Sequence, residues 1–146
     1  MIHAEQKALS HPVVSDFATC AEKHFNEGAF DFGILQKPEF LKFWGHLMIA
    51  KHLEPEDDFH IVLWGTQLAT SYGKDLTGKK FSESGFGEMC SYFHTLHKKV
   101  MLGGELVFTS GSFTWEQKDY KHWYQVKMPL RRNGPVLETL SCFCFD

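Results

Sequence analysis

Four side chains with metal-binding atoms follow one another along a single predicted helix. Cys90, His94, His97 and Met101 are spaced by four, three and four residues. A helix over 86–101 would point all four in roughly the same direction. Thiol, imidazole and thioether groups are ligands of transition metals, and imidazole and thioether also ligate haem iron. One interpretation is therefore a metal- or haem-binding site that uses His97 or His94.

The same helix offers a simpler interpretation, because its apolar residues form a stripe directly beside these four. The stripe consists of Met89, Phe93, Leu96 and Val100. Amphipathic side chains commonly lie at the border of such a packed face. The spacing of ligand-type residues alone also produces many false matches. The metal or haem site is therefore kept as the alternative, with His97 the better candidate because it lies nearer the stripe.

A second set of reactive residue types lies near the end of the chain. Cys142 and Cys144 flank Phe143, so both thiols would point to one face of a strand. No second cysteine pair accompanies them, and we predict small buried side chains rather than metal ligands. The sequence has no Gly-x-Ser-x-Gly nucleophile motif and no recognisable acid–base pair. We expect no enzymatic activity, and a small enzyme on this scaffold is the weakest hypothesis.

A glycine-containing loop between 73 and 78 raises the question of phosphate binding. A phosphate loop needs a glycine-rich run that ends in Gly-Lys-Ser or Gly-Lys-Thr before a helix, and this loop lacks that spacing. Gly73 and Gly78 would instead permit unusual backbone angles. Asp75 and Thr77 have short side chains that can bond to neighbouring N–H groups. We predict that these four residues form a structural turn.

Composition limits the classes of function. The chain has 146 residues, 43% hydrophobic and 15% aromatic, which is enough for one domain with a buried core. Its formal charge of -3 and dispersed basic residues predict neither a nucleic-acid nor a membrane partner. Met1–Ser10 has charged residues and no apolar segment, so we expect no secretory leader. The four scattered cysteines favour reduced thiols and a cytoplasmic location.

The elements that position these residues follow from hydrophobic periodicity. Apolar residues at three- and four-residue spacing within 1–28 predict an amphipathic N-terminal helix. Residues 29–45 give no clear pattern. Short apolar runs predict strands over 46–53, 59–66, 105–115, 121–130 and 136–145. Asn133-Gly134 indicates a hairpin between the last two strands. The order is therefore a helix, two strands, a helical crossing and three strands.

This order, together with two stretches of sequence, resembles the PAS domain. The stretches are LWGTQLATSYGKDLTGKKFSE over 63–83 and VKMPLRRNGPVLETLSCFCF over 126–145. The resemblance covers roughly 40–146 and is to a bacterial subfamily of stand-alone PAS proteins. It implies an α+β fold with a five-stranded antiparallel sheet, helices over one face and an additional N-terminal helix. The cysteine motif of flavin-binding light sensors is absent.

The resemblance also implies a function. PAS domains are sensory or regulatory modules that bind a small ligand between the sheet and the central helix and act through protein–protein contact. It does not imply catalysis, and it implies frequent dimerisation through an N-terminal helix. We therefore predict a helix over 1–28 for dimerisation or sheet cover, and a PAS domain over 29–146. In haem-binding PAS proteins the iron ligand is a histidine of the corresponding helix, which supports the alternative at His97 or His94. The chain ends directly after the last predicted strand, so we expect the signal to pass to a separate protein partner.

The predicted ligand cavity depends on which side chains of strand 121–130 face the central helix. If Gln125 and Lys127 face solvent, then Tyr124 and Met128 face the helix and Trp123 faces away. An outward Trp123 would then need cover from the N-terminal helix or from a second subunit. The predicted cavity residues are Trp64, Met89, Phe93, His97, Tyr124 and Met128.

Overall fold

A computed structural model describes residues 2–3, 6–87, 89–113 and 121–145. Its α-helices are α1 (Gln6–Ser10), α2 (Pro12–Glu22), α3 (Thr66–Tyr72) and α4 (Met89–Gly103). Its strands are β1 (Ile2–His3), β2 (Phe30–Asp31), β3 (Leu47–Leu53), β4 (Asp58–Trp64), β5 (Leu106–Phe113), β6 (Lys121–Arg131) and β7 (Val136–Phe145). Segments of 3-10 helix cover Phe32–Gln36, Pro38–His46 and Phe81–Glu83. The end of the strand predicted over 105–115 lies outside the described residues.

The five longer strands form one antiparallel sheet in the order β5-β6-β7-β3-β4. In the hairpin of β3 and β4, Leu53 lies opposite Asp58. In the hairpin of β6 and β7, Arg131 lies opposite Val136. The turn between them contains Asn133 at φ 49°, as expected of an Asn-Gly hairpin. The predicted α+β fold with a five-stranded antiparallel sheet is confirmed.

Short backbone segments pair with the five-stranded sheet at both of its sides. On one side β1 pairs in parallel with the outer strand β5, and β2 pairs in parallel with the end of β6, the next strand in. On the other side the segment 78–80 runs along β4. There the Gly78 N–H donates to the Ile61 oxygen and the Ile61 N–H donates to the Lys79 oxygen, both at 2.8 Å. The sequence does not predict these pairings, because contacts of two or three residues leave no periodic pattern.

Helical segments cover both faces of the sheet. Helices α3 and α4 pack on one face, where Phe93 and Leu68 join the core residues of β3 and β4. Helix α2 and the segment Pro38–His46 pack on the other face. The buried residues of α2 are Val14, Phe17, Ala18 and Ala21. The apolar stripe of the N-terminal helix is thus buried against the sheet of its own chain. Among the helices of the described ranges, none has the length and apolar character of a membrane span.

The predicted orientation of strand β6 is wrong. Trp123 lies in the cluster beneath α4, and Lys127 bonds to His97 of that helix. Tyr124 and Met128 pack on the opposite face, with the residues that contact α2. The prediction assumed that polar residues face solvent. Both faces of this sheet are covered, so neither parity of the strand marks a solvent side.

The loop over 73–78 makes the contacts of a rigid turn. Gly73 ends α3 with a left-handed backbone at φ 99°, and Gly78 has φ 88°. The Thr77 N–H donates to Oδ1 of Asp75 at 2.9 Å, and this hydrogen bond lowers the pKa of Asp75. Oγ1 of Thr77 in turn accepts from the Trp64 N–H at 3.1 Å. These bonds connect the loop to the end of β4.

Candidate functional site

The space between α4 and the sheet is lined by aromatic rings. Trp123 lies 5.6 Å from Phe93 and 6.0 Å from Phe143, measured between ring centroids. On the side of β4, Phe59 and Phe81 both lie within 5.4 Å of the His97 ring. Such rings exclude water, so any polar group among them loses its hydration.

A buried group of four polar side chains lies within this apolar face. Lys127 and Ser141 are opposite each other on β6 and β7, and Thr139 is two residues before Ser141. Nζ of Lys127 lies 2.6 Å from Nε2 of His97 and donates to Oγ of Ser141 at 2.9 Å. Nδ1 of His97 lies 2.7 Å from Oγ1 of Thr139. All four residues have a relative exposure of 0%.

Burial decides the charge of this group. It lowers the pKa of the Lys127 ammonium well below its usual range. It also lowers the pKa of His97, and the charge of Lys127 adds to that effect. Lys127 and His97 therefore compete for protons, and a second proton in the pair would place two like charges 2.6 Å apart. Each ion pair among the described residues involves a cation other than Lys127 or His97. None of these ion pairs therefore compensates a charge on Lys127 or His97.

The depressed pKa of His97 predicts an acid-sensitive fold. Below about pH 6.5 the unfolded chain binds a proton at this histidine and the folded chain does not, so acidification favours unfolding. We expect His97→Gln to reduce the loss of unfolding free energy between pH 6.5 and 5 by about 1.4 kcal/mol per pH unit. Urea denaturation across that range measures the difference.

His122→Gln is the matched control, since His122 is exposed on the same sheet. This variant should keep the wild-type pH dependence. If His97→Gln and wild type lost stability in parallel on acidification, His97 would titrate normally in the folded chain, and the assignment of a buried neutral ring would be wrong.

Next to this group lie polar atoms with no hydrogen-bond partner among the described residues. They are both amide atoms of Gln125, Oγ1 of Thr109, and the indole nitrogens of Trp123 and Trp64. Gln125 is 0% exposed, and it lies opposite Thr109 on neighbouring strands. An unpaired buried amide costs about 1–3 kcal/mol, so such groups call for a partner. A bound molecule or ordered water would supply it.

The predicted cavity residues divide between the two faces of the sheet. Trp64, Phe93 and His97 lie in the cluster beneath α4, and Met89 packs against it. Tyr124 and Met128 lie in the cluster beneath α2, so they cannot line the same cavity. The predicted orientation places Gln125 and Lys127 on the solvent side, and Thr139 and Ser141 are not among the predicted site residues.

The histidines of α4 do not fit an iron or metal site. Both ring nitrogens of His97 are engaged, Nδ1 with the Thr139 hydroxyl and Nε2 with the Lys127 amine. Nε2 of His94 lies 2.5 Å from the Asp57 backbone oxygen, in the turn between β3 and β4. The two rings thus have different partners, although their spacing predicts a shared direction. Over the described ranges no three His, Cys, Asp or Glu side chains form a metal-binding group.

A separate cleft lies at the far end of β6. Its volume is about 340 Å3, and it is lined by Asp31, Phe32, Gly33, Arg131, Arg132 and Asn133. Its arginines are engaged within the chain. Arg131 donates to the Glu27 oxygen at 2.9 Å, and Arg132 donates to Glu138 at 2.6 Å. The polar side chains of this cleft therefore have fewer hydrogen-bonding groups available to a ligand than the face around Gln125.

Comparisons with known proteins concern the architecture of the chain. No family model and no curated protein matches the chain. A light-oxygen-voltage domain studied with a flavin analogue aligns at a TM-score of 0.54 and 14% identity, covering 78% of this chain and 88% of that one. A domain of an HTR-like protein from Haloarcula marismortui aligns at 0.49 and 14% identity, covering 68% and 96%. At this identity the first likeness concerns the fold alone.

Proposed function

We propose, from the premise that the chain has a PAS-like fold, that it is a sensory or regulatory module without enzymatic activity. Light-oxygen-voltage domains are a PAS subfamily, and the fold is typically sensory and non-catalytic. Fold alone does not decide function, so the proposal depends on the chemistry of one face of the sheet. A cytoplasmic location is part of the proposal.

The observation that supports ligand binding is the unpaired amide of Gln125. It offers one acceptor and two donors, and the neighbouring Trp123 indole offers another donor. The surrounding rings offer flat apolar contacts. A small planar molecule with adjacent hydrogen-bond donors and acceptors matches these groups. Because the rings of α4 pack directly on the sheet, such a molecule would enter by moving the helix away from it.

Movement of α4 provides a way to signal through protein contact. The helix carries two exposed apolar side chains, Tyr92 at 42% and Leu102 at 76% relative exposure. A shift of the helix would change how these groups are presented to a protein partner or to a second copy in a homodimer. Light scattering after size exclusion would measure the molar mass and so show whether the chain forms this homodimer.

Native mass spectrometry of undenatured protein tests the ligand. We expect an additional bound mass in wild type and its loss in Gln125→Leu, because leucine keeps the volume and removes the amide. Gln36→Leu changes an exposed glutamine and should retain the mass. Wild type without any bound mass, or equal retention in Gln125→Leu, would contradict the proposal.

A further inference from the structure

Two cysteines and two histidines meet on the face of the sheet that α2 covers. Cys142 and Cys144 are two residues apart on β7, so both side chains point to that face. Sγ of Cys144 lies 3.6 Å from Nδ1 of His46, the residue before β3. His11, at the start of α2, packs its ring 5.2 Å from Tyr124, which is opposite Cys144 on β6. Nδ1 of His11 is buried and has no hydrogen-bond partner among the described residues.

The two thiols have different chemical states. Hydrogen bonds from the Cys142 thiol and from His46, with the charges of His46 and His11, lower the pKa of Cys144 to about 5. The contact with Cys144 in turn raises the pKa of His46. Burial and the neighbouring Cys144 raise the pKa of Cys142 well above its usual range. These shifts favour a thiolate at Cys144 and a thiol at Cys142, and the contact with Cys144 favours the protonated form of His46 beside the thiolate.

We propose that Cys144 is a redox modification site that reacts with hydroperoxides, with Cys142 as the second thiol. The site requires the nucleophile, a positively charged hydrogen-bond donor and a resolving thiol, and Cys144, His46 and Cys142 provide them. Nothing in the proposed ligand function uses these residues, which lie on the opposite face of the sheet.

The chemistry balances in two steps. The Cys144 thiolate attacks the terminal oxygen of the hydroperoxide, the O–O bond breaks, and the alkoxide takes a proton from His46. Cys144 is then a sulfenic acid and the hydroperoxide has become an alcohol. The Cys142 sulfur attacks the Cys144 sulfur, the S–O bond breaks, and hydroxide leaves as water with the Cys142 proton. Two thiol groups have lost two electrons, and the hydroperoxide has gained them.

Oxidation is expected to weaken the packing of α2 on the sheet. Residues two apart on a strand have Cα atoms about 6.6 Å apart, near the upper limit of about 6.8 Å for a disulfide. The end of β7 must therefore distort as the bond forms. Cys144 is 4% exposed in the core cluster that α2 covers, so small peroxides reach it more easily than large reagents. The oxidised form should hold α2 less tightly.

Intact mass measurement after treatment of the reduced full chain with hydrogen peroxide tests the site. We expect wild type to lose about 2 Da, as a disulfide forms between the two thiols. Cys142→Ser should gain about 16 Da at Cys144, a sulfenic acid that dimedone traps. Cys144→Ser should give neither product, and Cys20→Ser, which alters a cysteine of α2, should behave as wild type.

The pH profile of iodoacetamide labelling separates an activated thiolate from a merely accessible thiol. Labelling of Cys144 should reach half its maximum near pH 5, whereas labelling of Cys90, whose pKa burial raises, should still increase above pH 9. At pH 6 we expect Cys144 to react about tenfold faster, after allowance for the weaker nucleophilicity of a low-pKa thiolate. His46→Gln should move its midpoint up by about one pH unit, and His60→Gln should not.

Three results would overturn the proposal. The first is oxidation of Cys20 or Cys90 before the pair on β7. The second is a labelling midpoint for Cys144 near that of an ordinary thiol at about pH 8.5. The third is a Cys144 that neither peroxide nor iodoacetamide modifies, because the site would then be closed. Circular dichroism of each variant confirms that the fold is retained.

Discussion

Gly65→Ala is expected to lower the free energy of unfolding by about 3 kcal/mol, the upper end of typical overpacking costs. The backbone at this position, φ -61°, suits any residue, so the cost comes from contact alone. A Cβ here would overlap the Gly45 carbonyl and lie 2.6 Å from the Trp44 oxygen. Both are backbone atoms, so the start of α3 and the segment Pro38–His46 would have to separate. Urea denaturation measures the change.

Gly33→Ala is the matched control for this substitution. A Cβ at Gly33 would have no heavy atom within 4 Å. Gly33 lies in a 3-10 segment, as does Gly45, the residue that a Cβ at Gly65 would overlap. We expect a change below about 0.5 kcal/mol. Equal stability of the two variants would show that the backbones of the crossing segments are not in direct contact.

Trp123→Ala is expected to cost about 3–5 kcal/mol, as large buried aromatic residues do. The side chain is 2% exposed, contacts Phe93 and Phe143, and lies over Gly111 on the neighbouring strand. Its removal would leave a cavity beneath α4, next to Gln125. Thermal denaturation should show a clearly lower melting temperature than for Leu102→Ala, which alters a residue of α4 that is 76% exposed.

The cavity left by Trp123→Ala also gives a test by rescue. Added indole should raise the melting temperature of this variant and leave that of wild type unchanged, because only the variant has an apolar cavity with the shape of indole. A small loss of stability, or a rise of the melting temperature in both proteins, would mean that Trp123 does not fill the space between the helix and the sheet.

Most of the fold could be predicted from local sequence patterns. The apolar residues of 86–101 repeat at helical spacing, and α4 covers Met89–Gly103. Asn133-Gly134 predicted the hairpin because its turn needs a left-handed backbone that Asn and Gly adopt readily. The parallel pairings of β1 and β2 depend on tertiary contacts, which no local pattern contains.

The candidate site was less predictable, because its key residue breaks a general rule. Lysine is rarely fully buried, so the expected position of Lys127 is the solvent side, and this choice reverses the predicted orientation of every other side chain of the strand. One signal pointed the other way. Strand β6 has apolar residues at both parities, Trp123 as well as Tyr124 and Val126, which is typical of a sheet covered on both faces. Strand β7 has the same character, with Phe143 between Cys142 and Cys144.

The occupied borders of the sheet restrict how other proteins can bind. Many recognition domains capture an extended peptide as an extra strand on a free sheet edge. Here the peptide groups of Ile61 bond to 78–80, and Leu106 and Val107 lie beside β1. At these positions an incoming peptide would have to displace the paired segments first, and the same barrier opposes edge-to-edge addition of strands into fibrils. There, recognition is expected to involve side chains on helices and loops rather than main-chain pairing.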